Sequence, residues 1–357
     1  MPDPFRLTHQ LTETLQQLIQ ASPAPGAAVA LWQNGSPLYQ SAAGYADPQR
    51  TLPLDSQACF YIYSITKTLL AITILRLAEQ NLLTLDQPVQ ATLPDLALKT
   101  PVSLRQLLNH SGGIPDYGGM PAYFSALKAD PTHAWTSHQF LANVLPQGLT
   151  FAPGQGWAYS NIGYLLLRLV IETTLHTSLA DALQRTIFAP LGLQQTRTAE
   201  TLEDAQNLTP GCSAYFSPDG TLQDIHTTYH PGWVSHGVVI STAPELAQIY
   251  TALFHGSLLT PASLTAMQTA LDVPARHPQF QQPGYGLGLM IDQASPHGFV
   301  AGHGGGGPGY STGALHFSNL HGHRLTSIAL VNTDRGDLGL ELASKLAHRA
   351  AELLNEG

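Results

Sequence analysis

The chain has 357 residues, of which 43% are hydrophobic and 11% charged, and it carries a formal net charge of −9. This acidic balance argues against nucleic-acid binding, which normally needs a basic patch, and no apolar run approaches the length of a membrane span. The N-terminus has no basic start leading into an apolar block. The sequence as it stands therefore predicts a cytoplasmic protein, or a periplasmic or secreted one if a leader was removed.

The first predicted elements are a helix and a hairpin. Leucines recur at helical spacing between positions 7 and 18, with Asp3 as a candidate cap and Pro4 in the first turn. The strand-like segments 26–33 and 36–46 flank Asn34-Gly35, a pair typical of a tight hairpin turn.

The rest of the chain alternates between helical and strand-like regions. A helical pattern starts at Ser64, and mixed helix and loop follow over about 81–235. Further helices are predicted over 103–110, 164–175 and 337–354, and strands over 285–292, 298–303, 311–317 and 324–333. Strands at both ends with helices between them predict an α+β fold, in which an antiparallel sheet is flanked by the N- and C-terminal helices.

This order also predicts how the chain divides into domains. Residues 1–80 plus 236–357 would form a discontinuous sheet domain, and 81–235 a mostly helical inserted domain. A cleft between two such halves is a natural ligand site. Cys59 and Cys212 are expected to be reduced, buried thiols, with a disulfide left open as the alternative.

The first candidate site is Ser64-Ile65-Thr66-Lys67, which directly follows a strand-like segment. A serine at the start of a helix lies near free backbone N–H groups and the positive end of the helix dipole. Residues three apart are neighbours on a helix, so Lys67 can reach the Ser64 hydroxyl. A partly desolvated lysine can take the proton that serine must lose to become a nucleophile. A helix cap with a surface lysine is the structural alternative.

The second candidate site is Tyr159-Ser160-Asn161, which precedes an apolar helix. In an extended segment the side chains of Tyr159 and Asn161 point to the same side. A phenol can shuttle a proton if nearby cations lower its pKa, and an Asn amide can hold a substrate carbonyl or the lysine. The alternative is a capping serine next to a packed tyrosine.

The third candidate site contains His303 and the four consecutive glycines 304–307, between two strand-like segments. Glycines leave backbone N–H groups bare and allow a substrate to approach closely, as an oxyanion hole on a strand edge requires. A flexible loop is the alternative.

Taken in this order, the three motifs resemble the SxxK, YxN and KTG or HxG motifs of the penicillin-recognising serine enzymes, and their separations suit the class C branch. The resemblance extends over roughly residues 20–335. The chain is thereby identified as a member of the serine β-lactamase-like and penicillin-binding protein family, which includes class C β-lactamases, DD-carboxypeptidases, D-aminopeptidases and family VIII esterases. The resemblance implies the β-lactamase/transpeptidase-like fold.

The resemblance also implies a serine hydrolase that cleaves amide or ester bonds through an acyl-enzyme on Ser64. Lys67 and Tyr159 would take and relay the proton. The backbone N–H groups of Ser64 and Gly306 would form the oxyanion hole. No cofactor or metal is implied. The expected substrates are small esters or D-amino-acid-containing peptides, with weak β-lactam activity.

Residues beside the nucleophile would complete the site. The resemblance implies that Asn161, Gly304 and Gly305 bind substrate and that His303 orients substrate and tunes Tyr159. A lysine occupies the position of His303 in true class C β-lactamases. An imidazole that titrates near neutrality predicts a weaker grip on a penicillin-type carboxylate and a pH-sensitive rate.

Two other functions stay open. His226, His230 and His236, or the pair His321 and His323, could be metal ligands, although no complete ligand motif is present. A catalytically impaired relative that binds penicillin or senses a ligand is the non-enzyme alternative. The only partner class expected is a small molecule or a short peptide.

Overall fold

The computed structural model describes residues 3–356. Its helices are α1 (Pro4–Gln20), α2 (Thr66–Glu79), α3 (Leu104–Leu108), α4 (Pro121–Ala129), α5 (Ser137–Val144), α6 (Asn161–Leu175), α7 (Leu179–Leu183), α8 (Ala243–Phe254), α9 (Pro261–Gln268) and α10 (Leu338–Asn355). Its strands are β1 (Gly26–Gln33), β2 (Ser36–Gly44), β3 (Phe60–Tyr61), β4 (Arg197–Ala199), β5 (Cys212–Ser213), β6 (Gln223–Asp224), β7 (Val238–Ser241), β8 (Leu271–Asp272), β9 (Pro283–Tyr285), β10 (Met290–Asp292), β11 (Val300–Gly307), β12 (Tyr310–Leu320) and β13 (His323–Val331).

The main sheet is antiparallel and contains strands from both ends of the chain. Its eight strands run in the order β2-β1-β13-β12-β11-β10-β9-β8. The N-terminal hairpin joins the C-terminal strands through the pairing of β1 with β13, in which Ala27 lies opposite Val331. The fold is therefore α+β, as predicted.

Helices cover both faces of this sheet. Helices α1 and α10 pack together on one face, where α10 lies over β12 and β13. Their apolar side chains and those of the facing strand positions form one hydrophobic core. Helix α8 packs on the opposite face, against β1 and β13, where a second and larger core continues into the helices of the middle region.

A smaller sheet links the start of α2 to the second half of the chain. It has the order β3-β7-β4 and pairs Phe60 with Ser241 and Tyr61 with Ile240. The ladder continues one residue further, because the Ile62 N–H donates to the Val239 carbonyl at 2.9 Å. The segment that leads into Ser64 is therefore fixed against β7.

The predictions for the N-terminal elements are confirmed. In α1 the leucine face is buried, and the Asp3 side chain accepts a hydrogen bond from the Phe5 N–H. Asn34 (φ 50°) and Gly35 (φ 90°) form the turn between β1 and β2, with the two positive φ values that such a turn needs.

The prediction of one continuous strand over 285–292 is wrong. The chain turns after Tyr285 and re-enters the sheet at Met290, so β9 and β10 are neighbouring strands. Gly288 has φ +74°, a conformation that favours glycine, and the Gly286 N–H donates to the Leu289 carbonyl at 2.8 Å. A pattern of alternating apolar residues does not reveal such a turn.

Three further expectations concern the chain as a whole. The domain boundaries at 80/81 and 235/236 stay a prediction. Cys59 and Cys212 are both buried and unpaired. Within residues 3–356, no helix has the length and apolar character needed to cross a bilayer.

Candidate active site

Ser64 lies in a short 3₁₀ turn, Tyr63–Ile65, between β3 and α2. Tyr63 has φ 44°, a left-handed conformation that costs energy for a residue with a side chain. The sharp reversal leaves Ser64 partly exposed while Tyr63 and Ile65 on either side are buried. The backbone therefore presents this hydroxyl at the start of a helix.

Strand β11 holds the strained turn in place. The Tyr63 hydroxyl donates to the Pro308 carbonyl at 2.5 Å. A Cβ at Gly307 would lie 2.5 Å from the Tyr63 ring, and one at Gly305 would lie 2.2 Å from the Ile62 carbonyl oxygen. The glycines therefore let β11 pack directly against the backbone that carries Ser64.

Lys67 is fully buried beneath Ser64, and its Nζ atom has three polar neighbours. It lies 3.1 Å from Ser64 Oγ, 2.8 Å from Asn161 Oδ1 and 3.3 Å from His236 Nε2. Burial lowers the pKa of Lys67 well below its ordinary value, an effect that the Asp116 carboxylate partly opposes. The structure thus places a group able to be a neutral amine within reach of the serine proton.

In the Tyr159-Ser160-Asn161 segment, the serine caps a helix, and the tyrosine and the asparagine both lie beside Lys67. Ser160 caps α6, since its Oγ accepts from the Gly163 N–H at 2.9 Å and donates to the Pro115 carbonyl at 3.1 Å. With Ser160 fixed, Asn161 reaches Lys67, and the Tyr159 ring lies 4.9 Å from Lys67 Nζ.

The surroundings of Tyr159 favour the neutral phenol over the phenolate. Burial raises the pKa of Tyr159 above its ordinary value, and its hydrogen bond with Ser64 offsets only part of that rise. The condition considered for a proton shuttle, a pKa lowered by nearby cations, is therefore not met, because desolvation is the largest effect.

His303 lies on β11 and is fixed by two hydrogen bonds. Its Nδ1 atom lies 2.6 Å from the Gly304 carbonyl oxygen, which only accepts, so Nδ1 carries the hydrogen. Its Nε2 atom then accepts from the Tyr285 hydroxyl at 2.8 Å. Burial, together with the nearby Lys67 charge, lowers the pKa of His303 to about 3. The expectation that His303 titrates near neutrality is therefore wrong.

Beyond Gly302 one edge of β11 is open. Strand β10 pairs with β11 only over Val300–Gly302, and no other strand of the described chain continues this pairing. Gly304 and Gly305 lie on the open stretch, and Gly306 is exposed with empty space where a Cβ would be. These glycines form strand, not a flexible loop, and they leave this edge of β11 unpaired.

Sequence reasoning missed Asp116 as a site residue. Asp116 accepts hydrogen bonds from both the backbone N–H and the side-chain Nδ2 of Asn161, at 2.8 and 3.1 Å. These bonds turn the Asn161 amide so that its Oδ1 faces Lys67. The sequence signal was an acidic residue in the otherwise apolar segment that follows His110.

His236 and His110 also lie at the site. His236 lies beside Lys67, although the sequence analysis considered it only as a possible metal ligand. His110 accepts from the Ser160 N–H at 3.1 Å, and its ring packs 4.3 Å from that of Tyr159. His110 thus packs against Tyr159 and fixes the backbone of the next residue.

The other candidate metal ligands lie apart from one another. His226 bonds to Asp224, and His230 accepts from the Gly232 N–H. His321 forms the turn before β13, and His323 pairs with Asn355. Over residues 3–356, no group of three or more His, Cys, Asp or Glu side chains has a geometry suited to a metal ion.

The three predicted motifs lie close together in the structure. Lys67 Nζ lies within hydrogen-bond distance of Ser64 and Asn161 and 4.9 Å from the Tyr159 ring, and the ring of His303 lies 6.4 Å from that of Tyr159. The roles assigned to these residues and to the glycine edge stay proposals, which are developed below.

Known proteins resemble this chain over almost its whole length. Penicillin-binding protein 4* of Bacillus subtilis (strain 168) is 30% identical over 319 residues, which is 85% of this chain and 67% of the relative. D-aminopeptidase of Gluconobacter oxydans (strain 621H) is 25% identical over 342 residues, 93% of this chain and 60% of the relative. The chain thus spans about two thirds or less of the length of these relatives.

A solved structure agrees with the fold. The D-stereospecific amidohydrolase from Streptomyces sp. has a TM-score of 0.79 and 28% identity, and the match covers 95% of this chain and 98% of that one. The family model described as Beta-lactamase matches residues 12–351. With the fold, the motifs and this match in agreement, the chain belongs to the beta-lactamase family.

Proposed function

We propose that this protein is a serine hydrolase that cleaves amide and ester bonds through an acyl-enzyme on Ser64. The observation that carries the proposal is the position of the buried Lys67 Nζ between Ser64 Oγ and Asn161 Oδ1. A desolvated amine at this distance can remove the hydroxyl proton, and a serine without such a base is a weak nucleophile.

In the acylation step, Ser64 Oγ bonds to the substrate carbonyl carbon while its proton passes to Lys67 Nζ. The carbonyl electron pair moves to oxygen, and the resulting oxyanion would be held by the backbone N–H groups of Ser64 and Gly306 on the open edge of β11. Removing one oxyanion donor typically costs about 3–4 kcal/mol of transition-state stabilisation.

Collapse of this intermediate breaks the bond to the leaving group, which leaves with a proton. Tyr159 is suited to deliver it, because its raised pKa keeps the phenol protonated and its hydroxyl contacts Ser64. Lys67 returns a proton to Tyr159, and the regained neutral amine then activates the water that hydrolyses the acyl-enzyme.

The proposed substrates are amides of D-amino acids and short D-residue peptides, together with small esters. The first class is supported by the similarity to a D-aminopeptidase and to a D-stereospecific amidohydrolase. Esters pass through the same tetrahedral intermediate with a better leaving group. The neutral His303 offers no fixed charge to a carboxylate, so β-lactam hydrolysis is expected to be the slowest of these activities.

A substrate panel tests this proposal. Wild-type protein and Ser64→Ala are each assayed with D- and L-amino-acid p-nitroanilides, p-nitrophenyl esters and nitrocefin. We expect D-anilides to react faster than their L-forms, nitrocefin to react most slowly, and Ser64→Ala to lower kcat/KM by at least ~10³-fold. Undiminished turnover by Ser64→Ala would refute the acyl-enzyme.

The panel also separates the alternatives. Stoichiometric labelling of Ser64 by a fluorescent penicillin without turnover of any substrate would indicate a ligand-sensing relative instead of an enzyme. Loss of activity on addition of a chelator would favour metal-dependent hydrolysis.

A further inference from the structure

The smaller sheet brings His236 to the catalytic lysine. His236 lies two residues before β7, and β7 pairs with β3, the strand that leads into Ser64. The Val239 N–H also donates to Thr66 Oγ1 at 3.1 Å, which fixes this strand to the first turn of α2. His236 is thereby placed beside Lys67, 169 residues away along the chain.

The other hydrogen bonds of Lys67 Nζ indicate which role the His236 imidazole has beside it. A neutral amine has two N–H groups and one lone pair. Asn161 Oδ1 can only accept, and the amide is held in this orientation by Asp116. If Ser64 is to give its proton to the amine, the lone pair must face Ser64, and the second N–H needs another acceptor.

His236 Nε2 lies 3.3 Å from Nζ, in the position where this acceptor is needed. We propose that His236 is a positioning residue that accepts a hydrogen bond from the Lys67 amine through Nε2 and so keeps the amine lone pair directed at Ser64. This inference rests on the proposed function, in which Lys67 is the base.

The same three neighbours serve both protonation states of Lys67. After the proton has moved, the ammonium has three N–H groups, which Ser64 Oγ, Asn161 Oδ1 and His236 Nε2 can all accept. Without the imidazole, the amine could rotate about its Cε–Nζ bond and present an N–H to Ser64. The ammonium formed in acylation would also lack one acceptor in a buried site, which is costly.

The surroundings of His236 keep it neutral. The residue is 1% exposed, and its Nδ1 atom has no hydrogen-bond partner among the described residues. Several charged and titratable groups lie near His236 and Lys67. The charges of Lys67, His303, Arg168 and His110 disfavour a charged His236. The Asp116 carboxylate favours a charged Lys67, and the rings of Tyr159 and Tyr164 lie near Lys67 Nζ. Burial, and after it the Lys67 charge, lowers the pKa of His236 well below its ordinary value.

Three substitutions separate this role from mere packing. His236→Gln can place its Oε1 atom where Nε2 lies, so it retains an acceptor. His236→Phe keeps a ring of similar size but has no acceptor. His236→Asn is polar but too short to reach Lys67, and it replaces the Phe variant as the test if that variant does not fold, as judged by thermal unfolding.

The kinetic readout is kcat and KM for a p-nitrophenyl ester. We expect His236→Phe and His236→Asn to lower kcat by about 10- to 100-fold with KM changed by less than about threefold, while His236→Gln regains most of the loss. A purely structural role predicts the reverse order, with the ring of Phe tolerated better than Gln. Such an order would overturn the proposal.

A second readout does not depend on activity. The chain has only four lysines, at positions 67, 99, 128 and 345, so a ¹³Cε-lysine NMR spectrum is simple, and Lys67→Arg identifies the resonance of Lys67. We expect the titration midpoint of Lys67 to fall by about one pH unit in His236→Phe, because the ammonium loses an acceptor, and to stay near the wild-type midpoint in His236→Gln.

The two readouts distinguish failure of this inference from failure of the proposed function. If the wild-type protein hydrolyses no substrate but the Lys67 midpoint shifts as expected, the contact between His236 and Lys67 stands and the proposed function fails. If hydrolysis depends on Ser64 but neither kcat nor the midpoint responds to His236→Phe or His236→Asn, the proposed function stands and the role of His236 is refuted.

Discussion

At the scale of single residues, His303 shows how burial decides chemistry. A lysine at this position would bring a fixed positive charge to the cleft, whereas the imidazole gives its one N–H to the Gly304 carbonyl and uses its lone pair for the Tyr285 hydroxyl. Both nitrogens are thus occupied within the protein. Its lowered pKa means that His303 is expected to stay a neutral ring and not to become a pH-dependent charge near neutrality.

We therefore predict that His303 stays in its Nδ1–H form from pH 8 to pH 5, because its pKa is lowered to about 3 by burial. The measurement is a long-range ¹H–¹⁵N imidazole spectrum recorded across this range. Among the 16 histidines, the His303 signals are those that disappear in His303→Gln. An imidazolium pattern appearing with a midpoint above pH 5 would contradict the prediction.

The site residues that could be found in the sequence are those with a local pattern. Ser64 and Lys67 are three apart on one helix, and Tyr159 and Asn161 flank a capping serine, so spacing alone relates them. Asp116 and His236 reach the same lysine from distant segments. Their placement depends on the pairing of β3 with β7 and on the loop after α3, and no spacing in the sequence encodes either contact.

At the scale of elements, the neighbouring glycines Gly305 and Gly306 of β11 have different structural roles. Gly305 packs against the strand-to-helix turn: a Cβ there would lie 2.2 Å from the Ile62 carbonyl oxygen and 2.4 Å from Thr312 Oγ1. Gly306, the next residue, has nothing within 4 Å of the same position. The first glycine is required by packing, whereas the second leaves open space at the proposed oxyanion hole.

We predict that Gly305→Ala lowers the free energy of unfolding by about 1–3 kcal/mol, because backbone atoms must move to admit the methyl group. The matched variant Gly306→Ala should change it by less than about 0.5 kcal/mol, because it meets no neighbour. Urea unfolding followed by circular dichroism measures both. Equal losses of stability in the two variants would show that close packing of β11 against Ile62 is not the cause.

The elements themselves were predicted with uneven success. Helix α1 and the hairpin of β1 and β2 have strong periodicity and a clear turn signal, and the structure has both. The prediction of one strand over 285–292 is wrong because the chain reverses at Gly288, within an apolar stretch. The Gly288 carbonyl accepts from Thr68 Oγ1 at 2.7 Å, a contact with α2 that exists only in the folded protein.

At the scale of the whole molecule, the order of strands and helices was enough to predict an antiparallel sheet built from both ends of the chain. The two ends are joined by the pairing of β1 with β13. This pairing follows from the need to bury two apolar strands between helices on each face. The same double coverage also buries polar groups. Four histidines, His110, His236, His303 and His316, are each 3% exposed or less.

These four histidines make the stability of the protein sensitive to acid. Burial lowers the pKa of each below its ordinary value of 6.5, to about 3 for His303 and His316. Between these values the unfolded chain binds protons that the folded protein excludes, so stability rises with pH. The contribution is complete above about pH 6.5 and is lost as the pH falls towards the lowered values.

We predict that the free energy of unfolding decreases between pH 7 and pH 5 by about 2 kcal/mol for each of His303 and His316, a large loss beside the roughly 5–15 kcal/mol total of a typical protein. Urea unfolding at half-unit pH steps measures this. His316 is the residue best suited to test this cause. It stacks on Phe254 at 4.2 Å and bonds to Thr326, and it has no contact with Ser64. His316→Phe should flatten the pH dependence by about 2 kcal/mol over this range. An unchanged slope in this variant would mean that the buried histidines do not govern acid sensitivity.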